Sequence, residues 1–352
     1  MSGFLIILLV AAIYVVLYQV SRSSELIASI QGEEKFDKKR NKILAWSMLL
    51  VFAAFMIGIV ACHNYMMPLM APEAASDYGV EYDSMFVVTL VITGIVFFVT
   101  QALLFWFAYK YQRNDDRKAF FFSHSNKLEM IWTTVPAVAM AVLVAIGLKN
   151  WFTVTSEAPK NKMQIEIVGK QFNWITRYPG KDGVLGKKKY TLINDKDNLL
   201  GQDWTDKTNL DDIVIPTGEI RLVKGKPVEL IIGSRDVIHD VGLSHFRVKM
   251  DAVPGITTTI WFTPIITTAE MKQKTGNENF VYELSCDQMC GKGHYSMRAI
   301  VIVETQEEHD AWMAKQQSYY AQNHPEALPA ANPGAETTQP VVLDSSKKIT
   351  MK

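Results

Sequence analysis

Cysteine is scarce in this chain of 352 residues: only Cys62, Cys286 and Cys290 are present. Three thiols cannot build a disulfide framework, and no Cys-x2-Cys-His haem-attachment motif occurs, so no cytochrome domain is fused to the chain. Net charge is lacking too. The 36 basic and 36 acidic side chains cancel, which leaves no basic footprint for nucleic acid. No internal repeat is apparent. The neutral total hides an uneven layout, because the first 150 residues carry long apolar runs while the remainder reads as a strand-rich, water-soluble domain.

Four apolar stretches, roughly 4–20, 43–63, 85–109 and 131–149, match the length of about 20 residues that a membrane helix needs. Lys35, Lys38, Lys39, Arg40 and Lys42 crowd the segment 21–42, and Lys110, Arg113, Arg117, Lys118 and Lys127 follow the third stretch. The segment 64–84 has no Lys or Arg but holds Glu73, Asp77, Glu81 and Asp83. Positive charge marks the cytoplasmic side, so everything after Trp151 is expected outside. The first stretch has no charge before it and Ser21-Arg22-Ser23-Ser24 after it in place of a small-residue cleavage site, which reads as a retained anchor with an external N-terminus.

From Met163 the pattern turns to short β-type runs at 163–174, 219–222, 228–232, 257–262, 281–284 and 299–303, broken at Gly180, Gly186, Gly225 and Pro254-Gly255. These imply an antiparallel sandwich or small barrel. The polar stretch 181–216 reads as a surface excursion, 307–317 as a short helix, and the Pro- and Ala-rich tail from Pro325 as disordered. The expected organisation is therefore 1–42, an extra N-terminal membrane helix with its basic loop; 43–84, a second helix and external loop; 85–150, a helix hairpin; 151–304, the β-domain; and 305–352, a short helix and tail.

Chemistry concentrates in Cys286-Asp-Gln-Met-Cys290-Gly-Lys-Gly-His294-Tyr-Ser-Met297. Thiolate and thioether select Cu(I), and imidazole suits both copper oxidation states. A mononuclear blue-copper site uses a single thiolate, so the second cysteine is in excess, and with both thiolates bridging the set can hold two copper ions. Cys-x3-Cys alone would point to zinc or a disulfide. His294 and Met297 shift the reading, since methionine is a poor zinc ligand. A further strong ligand must come from elsewhere. Of the seven histidines, His63 and His124 lie at membrane boundaries and His309 and His324 near the tail, which leaves His239 and His245 with no basis in spacing for a choice.

The run Asp236-Val-Ile-His239, then Val248-Lys-Met-Asp-Ala-Val-Pro-Gly255, then the Cys-x3-Cys-x3-His-x2-Met element, resembles subunit II of the haem–copper cytochrome c oxidases over roughly 85–304. That resemblance implies a membrane helix hairpin followed by a cupredoxin-like, Greek-key sandwich or barrel carrying the binuclear copper centre CuA. It picks His239. Cys286 and Cys290 would bridge both coppers, with His239 and Met297 completing one, and His294 and the Gln288 carbonyl the other. Implied partners are the haem–copper subunit I, subunit III, a c-type cytochrome donor and membrane lipid, with the copper domain on the periplasmic face of a bacterial cytoplasmic membrane. A quinol-oxidase subunit II would lack these copper ligands. A CuA domain of nitrous-oxide-reductase type would lack the hairpin, and a copper-delivery protein would not bury a bridged pair.

Two positions depart from the family pattern. Gln288 stands where many members have glutamate, which puts in question the carboxylate contact to Mg2+ or Mn2+. Phe172, within Gln171-Phe172-Asn173-Trp174, stands where the family has the tryptophan that receives electrons. Asp203, Asp206, Asp211, Asp212, Asp236 and Asp240 could steer a basic cytochrome, although solvated loop positions explain several of them equally simply. Glu129, in Lys127-Leu-Glu-Met-Ile-Trp-Thr-Thr-Val-Pro136, suits a helix start. The resemblance assigns it to the mouth of a proton channel leading into subunit I. Cys62-His63 and Met66-Met67-Pro68-Leu69-Met70 read as a packed thiol, an interfacial imidazole and a boundary loop.

Overall fold

The computed structural model describes residues 2–114, 117–118 and 120–324, so the expected disordered tail lies outside the described residues. The described residues form two compact units, one drawn from 2–71 and 88–139, the other from 72–87 and 140–324.

In the first unit, α1 (Ser2–Gln31) and α2 (Glu33–Met70) meet at Gly32, whose φ of 84° suits a residue without Cβ. The basic segment expected as a loop is therefore helical on both sides of this break. Pairs one turn apart, Arg22–Glu25 at 3.0 Å, Lys38–Glu34 at 3.2 Å and Arg40–Asp37 at 2.7 Å, show why charged residues accept that helix. The Met-rich run expected as a boundary loop is also helical, since α2 continues to Met70. α3 (Asp77–Lys110) lies beside α2 through ring pairs Trp46–Tyr109, Phe52–Phe105 and Phe55–Phe97, with centroids 5.2, 4.9 and 6.3 Å apart. α4 (Asn126–Thr155) contains Pro136. Among the described residues three helices are long and apolar enough to cross a membrane: Glu34–Met67, Asp77–Lys110 and Asn126–Thr155. Their aliphatic and aromatic side chains are exposed on all sides, as lipid-facing helices require.

In the second unit the residues just after α2 join the β-domain instead of forming a free loop. Ala75 N donates to His245 O at 2.7 Å, Ile265 N donates to Ala75 O at 2.9 Å, and Arg247 forks onto Asp83 with both bonds at 2.8 Å. The domain has ten strands: β1 (Met163–Lys170), β2 (Asn173–Tyr178), β3 (Ile213–Ile215), β4 (Glu219–Val223), β5 (Val228–Ser234), β6 (His239–Leu243), β7 (Val248–Ala252), β8 (Thr258–Phe262), β9 (Tyr282–Cys286) and β10 (Arg298–Glu304). They form two five-stranded sheets, ordered β3-β2-β1-β5-β8 and β4-β10-β9-β6-β7. The sheets are mixed, not purely antiparallel, because β1 pairs with β5 and β4 with β10 in parallel. Alternation along β4, β5 and β10 turns one face inward, so Trp174, Ile165, Leu222, Leu230, Phe262, Tyr282 and Val301 close a single core between the sheets.

β1 and β2 are buried on both faces, and the stretch 181–216 is the reason. Instead of a loose excursion it lies over the first sheet, where Val168, Ile175, Leu200 and Val214 make a second small core with Tyr319 of α7 (Tyr319–Asn323). Buried Arg177 pins it by bonding Glu166 at 2.6 Å and Asp212 at 2.9 Å. A short helix, α5 (Thr268–Thr275), precedes β9, and the expected helix near 307–317 is α6 (Gln306–Met313), opened by a Thr305–Glu308 capping box.

Candidate metal centre

Three loops at one end of the domain bring the soft donors together. β6 opens on His239, β9 closes on Cys286, and a tight loop then returns to β10. Cys286 N donates to Met297 O at 3.0 Å, which fixes the two ends of that loop opposite each other. A single turn at 294–296 lets His294 fold back over Cys290. The sulfurs of Cys286 and Cys290 lie 3.8 Å apart, far from the about 2.05 Å of a disulfide, and both thiols are free. His239 Nδ1 is 3.8 Å from Cys286 Sγ, His294 Nδ1 is 3.7 Å from Cys290 Sγ, and Met297 Sδ is 3.8 Å from Cys290 Sγ. The Gln288 carbonyl stands 3.2 Å from Cys286 Sγ, while its side chain faces solvent. His239, Cys286, Cys290 and Met297 are buried and His294 is half-buried.

These donors fit a soft metal. His239, Cys286 and Cys290 offer ligand atoms within 4.8 Å of one another, and a buried thioether beside them adds a donor that hard cations reject. Burial, then the neighbouring Cys286, pushes the Cys290 thiol up to about 11, so a metal must displace its proton.

Of the two histidines left open by spacing, the structure sets His239 beside the thiols and His245 apart from them. His245 stacks edge-on against Phe280 and Tyr282, with centroids at 5.3 and 5.1 Å, and burial lowers its pKa. It takes no part in the cluster. His239 turns Nδ1 to the thiols because its other nitrogen, Nε2, is held by Asp236 Oδ1 at 2.8 Å. Partial burial would raise the Asp236 carboxyl, but hydrogen bonds from Gln171 N, His239 and Val237 N outweigh it and hold the group below the usual range. Gln171 also donates through Nε2 to Cys290 O at 2.5 Å, so one residue of the β1–β2 turn braces both halves of the site. Sequence reasoning placed Asp236 among possible steering charges and gave Gln171 no role. A carboxylate three residues before a histidine is too common to mark a partner.

Phe172 packs beneath the copper-type loop, where a Cβ on Gly293 would come within 2.5 Å of its ring. Among the candidate steering acids, Asp203, Asp212 and Asp240 are buried, and Asp203 is paired with Lys189. Glu129 sits exposed in the first turn of α4 and is not part of the cluster.

A helical membrane anchor followed by a two-sheet domain with clustered thiols, imidazoles and a thioether defines a membrane-anchored protein whose external domain carries donors suited to a soft metal. Family profiles for the transmembrane domain and the periplasmic domain of cytochrome c oxidase subunit II match residues 64–150 and 163–305. The alternative cytochrome c oxidase subunit 2 of Bradyrhizobium diazoefficiens is 32% identical over 273 residues, covering 78% of this chain and 93% of that one. Cytochrome c oxidase subunit 2 of Thermostichus vulcanus is 26% identical, over 70% of this chain and 78% of its own. The crystal structure of the periplasmic domain of subunit II of cytochrome oxidase of Bradyrhizobium japonicum aligns at 25% identity with a TM-score of 0.30, covering 45% of this chain and 95% of that one. The chain belongs to the cytochrome c oxidase subunit II family, and is thus a subunit of a haem–copper oxidase with a membrane anchor and an external β-domain. The family-profile matches begin at residue 64, so α1 and most of α2 lie outside them.

Proposed function

We propose that this chain is the electron-input subunit of its oxidase. It takes single electrons from a c-type cytochrome at the outer face of a bacterial cytoplasmic membrane and passes them to haem in subunit I, where oxygen is reduced to water with proton pumping. The observation that carries this reading is the convergence of His239, Cys286, Cys290, His294, Met297 and the Gln288 carbonyl at one end of the β-domain. These residues would hold a binuclear CuA centre, which supplies one-electron exchange with little change in bond lengths. The protein's part is rigidity and exclusion of water. Asp236 fixes the His239 ring, Gln171 ties the loop to the β1–β2 turn, and the buried sulfurs meet no solvent. His294, half-buried where the other ligands are closed off, is the most accessible ligand side chain. Glu129 opens the path by which protons reach subunit I.

Stopped-flow mixing of reduced c-type cytochrome with the copper-loaded full chain tests this directly. Cytochrome oxidation should follow second-order kinetics and vanish in Cys286→Ser. Copper binding without cytochrome oxidation would contradict electron input and favour copper delivery.

A further inference from the structure

The end of α2 carries soft donors that the copper centre of the β-domain does not use. Cys62, His63, Met66, Met67 and Met70 all belong to its last turns. At about 100° per residue the five positions fall within an arc of roughly 140°, on one face of the helix. Residues three and four apart on that face are neighbours, which relates Cys62 to Met66, His63 to Met66 and Met67, and both Met66 and Met67 to Met70. Cys62 is a free, exposed thiol, His63 is exposed, and Met66, Met67 and Met70 are 43%, 54% and 55% exposed.

Apolar packing alone does not account for this. Of the chain's 16 methionines three fall within five residues here, each on the face that also carries the thiol and the imidazole. No Lys or Arg occurs between Lys42 and Lys110, so no fixed positive charge in this stretch opposes a cation. By the charge rule this helix end is on the outer side.

We propose that this face of α2, through a few of the donors Cys62, His63, Met66, Met67 and Met70, forms a separate site that takes one Cu(I) ion. Thioethers and thiolate prefer Cu(I) over hard cations, and imidazole completes a set of few ligands supplied by a single helix. Binding releases the Cys62 proton and changes no oxidation state. The site is independent of the β-domain cluster and stands whether or not that cluster holds copper.

The test is anaerobic Cu(I) titration of the full chain in detergent against a chromogenic Cu(I) chelator, with X-ray absorption to read sulfur and nitrogen donors. A Cys286→Ser/Cys290→Ser variant, which removes both β-domain thiols, should still take up one Cu(I) with a sulfur-rich shell. Adding Met66→Leu, Met67→Leu and Met70→Leu, which keep the apolar bulk of the helix, should abolish that uptake. No uptake by the double serine variant, or undiminished uptake after the leucine changes, would overturn the proposal. The leucine changes alone should leave the β-domain copper signal intact. Loss of that signal through the leucine changes would overturn the independence of this site, whereas absence of a binuclear signal from the unsubstituted chain would count against the electron-input reading alone.

Discussion

Gly169→Ala tests how the β-scaffold holds its first ligand. Gly169 lies in β1, and a Cβ there would stand 2.6 Å from Cδ2 of the His239 ring and 3.0 Å from its Cγ. Carbon atoms pack comfortably at about 3.5–4.0 Å, so the ring must shift by about 1 Å. It has little room to do so. The imidazole is fully buried, lies edge-on to Trp174 with centroids 5.9 Å apart, and is tied at Nε2 to Asp236. Overpacking of this kind costs about 1–3 kcal/mol, and the stiffer unfolded chain returns roughly 0.4–1 of it. A net loss of roughly 1–2 kcal/mol is expected, together with weakened copper binding as Nδ1 leaves the sulfurs. Gly233, in the adjacent strand β5 and paired with Val168, is the control. A Cβ there meets nothing within 4 Å, so Gly233→Ala should be neutral or stabilise by up to about 1 kcal/mol. Urea unfolding of the metal-free chain followed by tryptophan fluorescence, and copper titration of the folded chain, read both effects. Gly169→Ala with unchanged stability and unchanged copper affinity would refute the close-packing account of His239.

Other outcomes follow from the same geometry. Asp236→Ala frees the His239 ring and should weaken copper binding by about 10–100-fold, as removal of a ligand's hydrogen-bond partner does elsewhere; equal affinity would show that packing alone orients the ring. Burial, outweighing the attraction of Arg177, lifts the Asp212 carboxyl to about 6, against about 3.9 in an unfolded chain. The folded state therefore holds this proton more tightly, and the group's contribution to stability falls as pH rises from about 4 to about 6. Asp212→Asn should remove that slope from urea midpoints measured across the window. Arg247→Ala breaks the fork onto Asp83 and the bond to Pro72 O, and should cost about 1.5–3 kcal/mol in the same unfolding assay. In the assembled oxidase, Glu129→Gln should slow oxygen consumption without altering the copper spectrum, and full turnover would remove Glu129 from the proton path.

What sequence could show tracked the strength of local pattern. The long apolar runs stood out, and so did the candidate metal donors of one short loop, because their chemistry is written within twelve residues. Where the helices end did not, because i,i+3 and i,i+4 charge pairs let helix persist through 21–42 and apolar methionines carried α2 to Met70. β6 escaped notice because His239-Asp-Val-Gly-Leu243 lacks alternation; it is buried on both faces between β7 and β9, and that is a property of the sheet, not of the segment. The antiparallel expectation failed for a similar reason. The pairings of β1 with β5 and β4 with β10 join segments far apart in the chain, which no local periodicity encodes. The polarity of 181–216 suggested solvent, yet Asp212, Asn209 and Gln202 face inward because Arg177 waits there to bond them or their neighbours. His239 was separable from His245 only by family resemblance until the fold set one beside the thiols and the other among aromatic rings.

Electron input as proposed requires that six groups of this chain hold two copper ions as one electronic unit. Electron paramagnetic resonance of the copper-loaded full chain tests it most directly, with Met66, Met67 and Met70 replaced by leucine to remove any copper at α2. A purple protein whose signal shows a multi-line hyperfine pattern from two equivalent coppers, lost in Cys290→Ser, is the predicted result. A blue protein with a four-line mononuclear signal, or a colourless zinc-bound one, would contradict it.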